Sequence, residues 1–184
     1  LRDRGLIDLA PHVVTRDPLA GSNVVAEAPP VLTREQQAAW EKVQAGLLAG
    51  SGAYLLHGVT GAGKTEIYLH LIGEVLAGRR QALVLVPEIA LTPALEAAFS
   101  DRFPGACVVT QTSASPELER ARGWLLAHRG LADIVLGTRL AVFASLPKLG
   151  LIVVDEEQDV SFKQREGVRY SARDLAIARA RIAG

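Results

Sequence analysis

The sequence predicts an α/β fold, a mostly parallel sheet flanked by helices. Three observations lead there. Short apolar runs alternate along the chain with stretches of helical period. The runs Ala82–Val86 and Leu151–Val154 are continuously apolar, the pattern of strands covered on both faces. Glycine-rich or acidic turns follow the runs, where an open sheet of this class places its ligands. The bulk properties agree. At 184 residues and 49% hydrophobic content the chain is long enough for one full domain with a real core.

Each element has a local reason. Asp17 to Pro30 is rich in Pro, Gly, Ala, Ser and Asn and reads as a linker. Thr33 is a good N-cap, and Gln36 completes a capping box. Trp40, Val43 and Leu47 recur at helical spacing until Gly50 and Gly52. A short strand is expected at Ala53–Leu56, then a glycine-rich turn, then a helix from Lys64 to about Leu76 that buries Ile67, Leu71, Ile72 and Val75. Strand 82–86 comes next, followed by a helix over 93–103 with proline in its first turn. A strand over 106–109, a helix over 116–128 capped by Ser115, and strands over 132–136 and 151–154 come after it. Ser171 caps a last helix, 172–183.

Composition bounds the function. Lys+Arg 20 balances Asp+Glu 20, so the whole chain shows no basic excess. Residues 160–184 nevertheless carry six basic side chains against two acids. One cysteine, Cys107, excludes an internal disulfide and a cysteine-rich zinc site in this stretch, and fits a cytoplasmic setting. No apolar run reaches the roughly 18 residues of a membrane span. The chain opens on Leu1 with no methionine, as expected of a piece of a longer protein.

Two motifs carry chemistry. Gly58-Val59-Thr60-Gly61-Ala62-Gly63-Lys64-Thr65 fills every fixed position of a P-loop. Its glycines let consecutive N–H groups surround an anion, and the helix N-terminus adds positive potential. Lys64 is expected to reach the β- and γ-phosphates of ATP, and Thr65 to ligate Mg²⁺. The strand 151–154 ends in Asp155-Glu156, a Walker B pattern 91 residues after Lys64. Asp155 is expected to hold Mg²⁺ through water, and Glu156 to orient or deprotonate the attacking water.

The run Asp155-Glu156-Glu157-Gln158 resembles the second motif of superfamily 2 helicases. Val86-Pro87-Glu88-Ile89-Ala90-Leu91-Thr92-Pro93 and Gly137-Thr138-Arg139 look like the two DNA-facing motifs of a first motor lobe. With Gly58–Tyr68 and Arg169-Tyr170-Ser171-Ala172-Arg173-Asp174 they closely resemble the PriA family of bacterial replication-restart helicases over residues 31–184. The resemblance implies a RecA-like P-loop NTPase lobe at 31–184, a linker at 19–30, and the end of a winged-helix domain at 1–18. It implies that Gln36 reads adenine, with the capping box an equal alternative, and that Glu66 completes the nucleotide-binding set of Gly58, Thr60, Gly61, Ala62, Gly63, Lys64 and Thr65. It places Pro87, Glu88, Thr138, Arg139, Lys163, Arg169 and Tyr170 toward DNA, with Phe162 in the same aromatic and basic loop. Single-stranded and forked DNA, primosome proteins and single-stranded DNA-binding protein are the implied partners. Zinc is expected only in other parts of such a protein. The arginine finger would lie in a second lobe, so this lobe alone should turn ATP over poorly. Three positions depart from the family. Gln158 stands where it has histidine and would couple hydrolysis to DNA, Gln111 stands near its His-Ser, and Leu140 stands for a serine. These departures keep open a second reading, a non-motor scaffold that binds DNA and recruits primosome proteins.

Overall fold

The structure is a computed structural model and describes residues 30–50, 52–59 and 61–183. The expectations for residues 1–29, the winged-helix end and most of the linker, lie outside the described residues, as does Thr60.

Four parallel strands form the main sheet in the order β2-β3-β1-β4. They are β1 (Gln81–Leu85), β2 (Val108–Gln111), β3 (Ile134–Gly137) and β4 (Leu149–Val154). β1 is central and fully buried, as its continuous apolar run requires. Its residues alternate between two cores. Leu83 and Leu85 join Val135, Ala141, Phe162, Ala172 and Ala176 on one face. Ala82, Val84 and Val86 join Tyr68, Ile72, Phe99 and Leu136 on the other. The sheet is therefore covered on both sides.

The helices are α1 (Arg34–Ala49), α2 (Lys64–Ala77), α3 (Pro93–Arg102), α4 (Glu117–His128) and α5 (Ala172–Ala183). α1 has the expected capping box at Thr33 and Gln36. α2 buries the four expected apolar residues and adds Tyr68. Thr92 caps α3, and its hydroxyl accepts from the Leu95 N–H at 3.3 Å. Buried Gln81 ties the foot of β1 to its surroundings. Its amide donates to the carbonyls of Ala127 at 3.1 Å and Ala132 at 2.7 Å, and its oxygen accepts from Lys148 N–H at 3.0 Å.

Several expectations are corrected. Residues 53–56 form no strand: the segment is largely exposed, with Leu55 74% accessible. Propensity alone does not make a strand, which needs a ladder partner. Tyr54 lies instead against Gly46 of α1, where an added Cβ would collide with its ring. α4 begins at Glu117 behind Pro116 with no side-chain cap, so Ser115 does not serve there. Sequence also missed a two-stranded antiparallel ribbon, β5 (Lys163–Gln164) with β6 (Tyr170–Ser171), and 3₁₀ turns at Arg139–Phe143 and Val160–Phe162.

Candidate active site

Because the four strands are parallel, their carboxyl ends share one edge; the loops after β1, β3 and β4 leave it, and the bond from Tyr68 of α2 to Asp155 ties the helix that follows the phosphate loop to the same edge. The glycine-rich loop enters α2 through Gly61 at φ +81° and Gly63 at φ +72°, both in the left-handed region that favours glycine. The α2 N-terminus has no side-chain cap, and the Glu66 N–H donates to the Gly63 carbonyl at 3.1 Å. Lys64 Nζ folds back to donate to the carbonyls of Gly58 at 2.9 Å and Val59 at 3.2 Å. This loop thus offers an anion a cation beside a helix N-terminus.

Gln36 joins α1 to the same loop. Its side-chain oxygen accepts from Thr33 N–H at 2.8 Å, closing the capping box, and its Nε2 donates to the carbonyl of Ala62 at 3.1 Å. Capping and contact with the loop are therefore made by one side chain.

β4 ends at Asp155, whose N–H donates to the Leu85 carbonyl of β1 at 2.9 Å. Its carboxylate is held at both oxygens: Oδ1 accepts from Glu156 N–H at 3.0 Å, and Oδ2 accepts from the Tyr68 hydroxyl at 3.2 Å. Burial pushes the Tyr68 phenol above its ordinary value; the Thr65 hydroxyl beside it pulls the other way, and the charges of Asp155 and Glu156 add to the rise. Tyr68 thus spans the two candidate Mg²⁺ ligands, Thr65 and Asp155. Glu156 sits at φ +48°, uncommon for a residue with a side chain, and its Oε2 accepts from Gln158 Nε2 at 2.6 Å. Gln158 is therefore in direct contact with the candidate water-orienting acid.

The remaining predicted residues divide. Glu66 turns away from the phosphate loop and pairs with Arg102 of α3, with His70 Nε2 3.1 Å from the same Oε1. Its side chain faces α3 because α2 presents it one residue past Thr65 on a different face. Pro87 and Thr138 are buried. They shape turns: the Pro87 carbonyl accepts from Ala90 N–H at 2.9 Å, and the Thr138 carbonyl accepts from Ala141 N–H at 2.9 Å. Glu88, Lys163 and Arg169 are exposed, and Tyr170 is half-buried. Arg139 Nη1 donates to the carbonyls of Ser161 at 3.2 Å and Lys163 at 3.3 Å, fastening the loop after β3 to the ribbon after β4. Phe143, 58% exposed, meets Tyr170 edge to face at 5.1 Å. Phe143 and Tyr68 were missed by sequence reasoning. Tyr68 was legible only as a polar-tipped ring on an otherwise apolar helix face.

Residues 33–183 match the DEAD/DEAH box helicase family. The chain belongs to that family. Among the relatives of this helicase domain, the replication restart protein PriA of Bacillus subtilis is 42% identical over 98% of this chain and 22% of its own length. Those of Haemophilus influenzae and Synechocystis are each 44% identical, over 85% and 87% of this chain and 21% and 19% of theirs. The chain spans about a fifth of the length of these relatives. The resemblance to a first PriA motor lobe is thereby shown, and the parallel sheet between helices agrees with a RecA-like lobe.

Among the described residues no helix is long and apolar enough to cross a membrane, and no group of three or more His, Cys, Asp or Glu could hold a metal. A Mg²⁺ site here fits a different donor set, one carboxylate and one hydroxyl completed by phosphate oxygens and water. Thr65 and Asp155, bridged by Tyr68, supply such a pair.

Proposed function

We propose that this chain is the ATP-binding motor lobe of a PriA-like DNA helicase that acts in replication restart and primosome assembly. The observation that carries the reading is the joining of the phosphate loop to the Walker B strand through α2, with Tyr68 reaching both Thr65 and Asp155. Gly61, Ala62 and Gly63 would wrap their N–H groups around the phosphates of ATP, the Ala62 N–H leaving the Val59 carbonyl 3.2 Å away, with Gly58 giving the loop its room. Lys64 would leave the carbonyls of Gly58 and Val59 for the β- and γ-phosphates, exchanging two neutral acceptors for an anion. Thr65 and Asp155 would hold Mg²⁺, which neutralises charge on the phosphates when bound. Glu156 would orient the attacking water, and Gln158, bonded to it, would report its position toward the DNA side.

Glu88, Arg139, Lys163, Arg169 and Tyr170 would meet single-stranded or forked DNA along the same sheet edge. Cations there would contact phosphates and aromatic rings would stack on bases. The work would be done in the cytoplasm, with primosome proteins and single-stranded DNA-binding protein as partners. Zinc would belong to another region of the whole protein.

The test is ATP hydrolysis by the full-length protein, with and without forked DNA. Turnover should rise on adding DNA, and Lys64→Ala should lower it about 100-fold or more, since it removes a charge aimed at the transferred phosphoryl group. DNA-independent turnover, or a Lys64→Ala protein as active as wild type, overturns the reading.

A further inference from the structure

We propose that Tyr68 is a positioning residue for the metal end of this nucleotide site: its hydroxyl fixes the Asp155 carboxylate against Thr65 before any cation arrives. The proposal rests on the nucleotide-binding reading above. Tyr68 lies three residues after Thr65, so both side chains share one face of α2. Its ring is 6% exposed and packs with Ile72, Val84, Phe99 and Leu136. The ring alone fills that core, and phenylalanine would fill it equally. The hydroxyl is a separate matter. Its hydrogen-bond partner is the Asp155 carboxylate, with the Thr65 hydroxyl beside it, both at the site and neither in the core.

Glu156 N–H holds the other carboxylate oxygen. With both oxygens engaged, the Asp155 side chain cannot turn freely about its terminal bond. The hydroxyl donates to this carboxylate and leaves its other oxygen to the backbone. Hydrogen bonds to a ligating carboxylate of this kind orient it and remove the entropy it would otherwise lose on taking a cation.

The experiment uses the full-length protein with Mn²⁺ as a spectroscopic stand-in and a non-hydrolysable ATP analogue. Mn²⁺ affinity is read by electron paramagnetic resonance and compared for wild type and Tyr68→Phe. Analogue binding in EDTA and the melting temperature are measured alongside. Tyr68→Phe should weaken Mn²⁺ about tenfold, the effect expected of a lost partner of a metal ligand. Analogue binding in EDTA should stay unchanged, and the Mg²⁺ needed for half-maximal turnover should rise in parallel. Placing 4-aminophenylalanine at position 68 keeps a donor and should restore Mn²⁺ affinity, whereas 4-methylphenylalanine, equal in size without a donor, should not. Wild-type Mn²⁺ affinity in Tyr68→Phe overturns the proposal, as does equal affinity in the amino and methyl variants. If the wild-type protein binds no metal–nucleotide complex, the functional reading itself falls, which separates the two failures.

Discussion

At the scale of single residues, the phosphate loop depends on which glycine is replaced. Gly63 sits at φ +72°, where an L side chain is strained, and an added Cβ would lie 2.3 Å from Gln36 Nε2. The amide could swing aside, but it would then leave the Ala62 carbonyl, and the backbone strain would stay. Gly63→Ala should therefore destabilise the fold by about 1–2 kcal/mol, the cost of a left-handed alanine, as read from urea unfolding. Gly58→Ala is the contrast. Its Cβ would meet Ala62 at an ordinary 3.5 Å, so the midpoint should hardly move. The two glycines look alike in the motif. What separates them is a backbone angle that no residue count reveals. Gln36 illustrates a related limit: sequence offered a cap or a ligand contact, and the fold sets one amide at the cap and against the Ala62 carbonyl because the first turn of α1 abuts the loop.

At the scale of elements, α2 and α3 are joined by the Glu66–Arg102 pair, whose side chains are only 19% and 13% exposed. α2 follows the phosphate loop, and α3 follows the loop that leaves β1, so this ion pair fixes one against the other. Removing one partner strands a largely buried charge. Glu66→Gln or Arg102→Leu alone should cost about 3 kcal/mol, and the double variant should cost much less than the sum. A thermodynamic cycle from denaturant melts checks it; strict additivity would mean the pair contributes nothing. Sequence showed most elements because their signals are local. Thr33, Gly50 and Gly78 mark ends, and the run 82–86 has to be buried. The failures concern partners. The segment 53–56 has strand composition but finds no ladder, and the ribbon at Lys163 and Tyr170 forms from a polar stretch across a turn at Gly167, φ +67°. The Glu66–Arg102 pair was not legible either, because a helix sends neighbouring side chains about 100° apart and the partner lies on another element.

At the scale of the whole molecule, a net charge of zero conceals a segregated one. Asp155, Glu156, Glu157 and Asp159 lie in the loop after β4, whereas Lys163, Arg165 and Arg169 gather at the β5–β6 ribbon, beside the exposed Phe143 and half-buried Tyr170. Arg139 fastens this ribbon to the loop after β3, so the cations are held at the same carboxyl edge as the phosphate loop. Because binding of single strands releases about 0.7 counterions per neutralised phosphate, the contribution of three such cations is readable from salt dependence. Replacing Lys163, Arg165 and Arg169 with alanine should reduce the slope of log affinity for single-stranded DNA against log salt by about 2. Nucleotide affinity without DNA should not change, since none of the three contacts the P-loop or Asp155 through any bond seen here. A slope unchanged by the triple replacement would place the DNA path elsewhere on the molecule. An equal loss of nucleotide affinity would mean that ribbon and phosphate loop form a single site rather than two linked along one sheet edge.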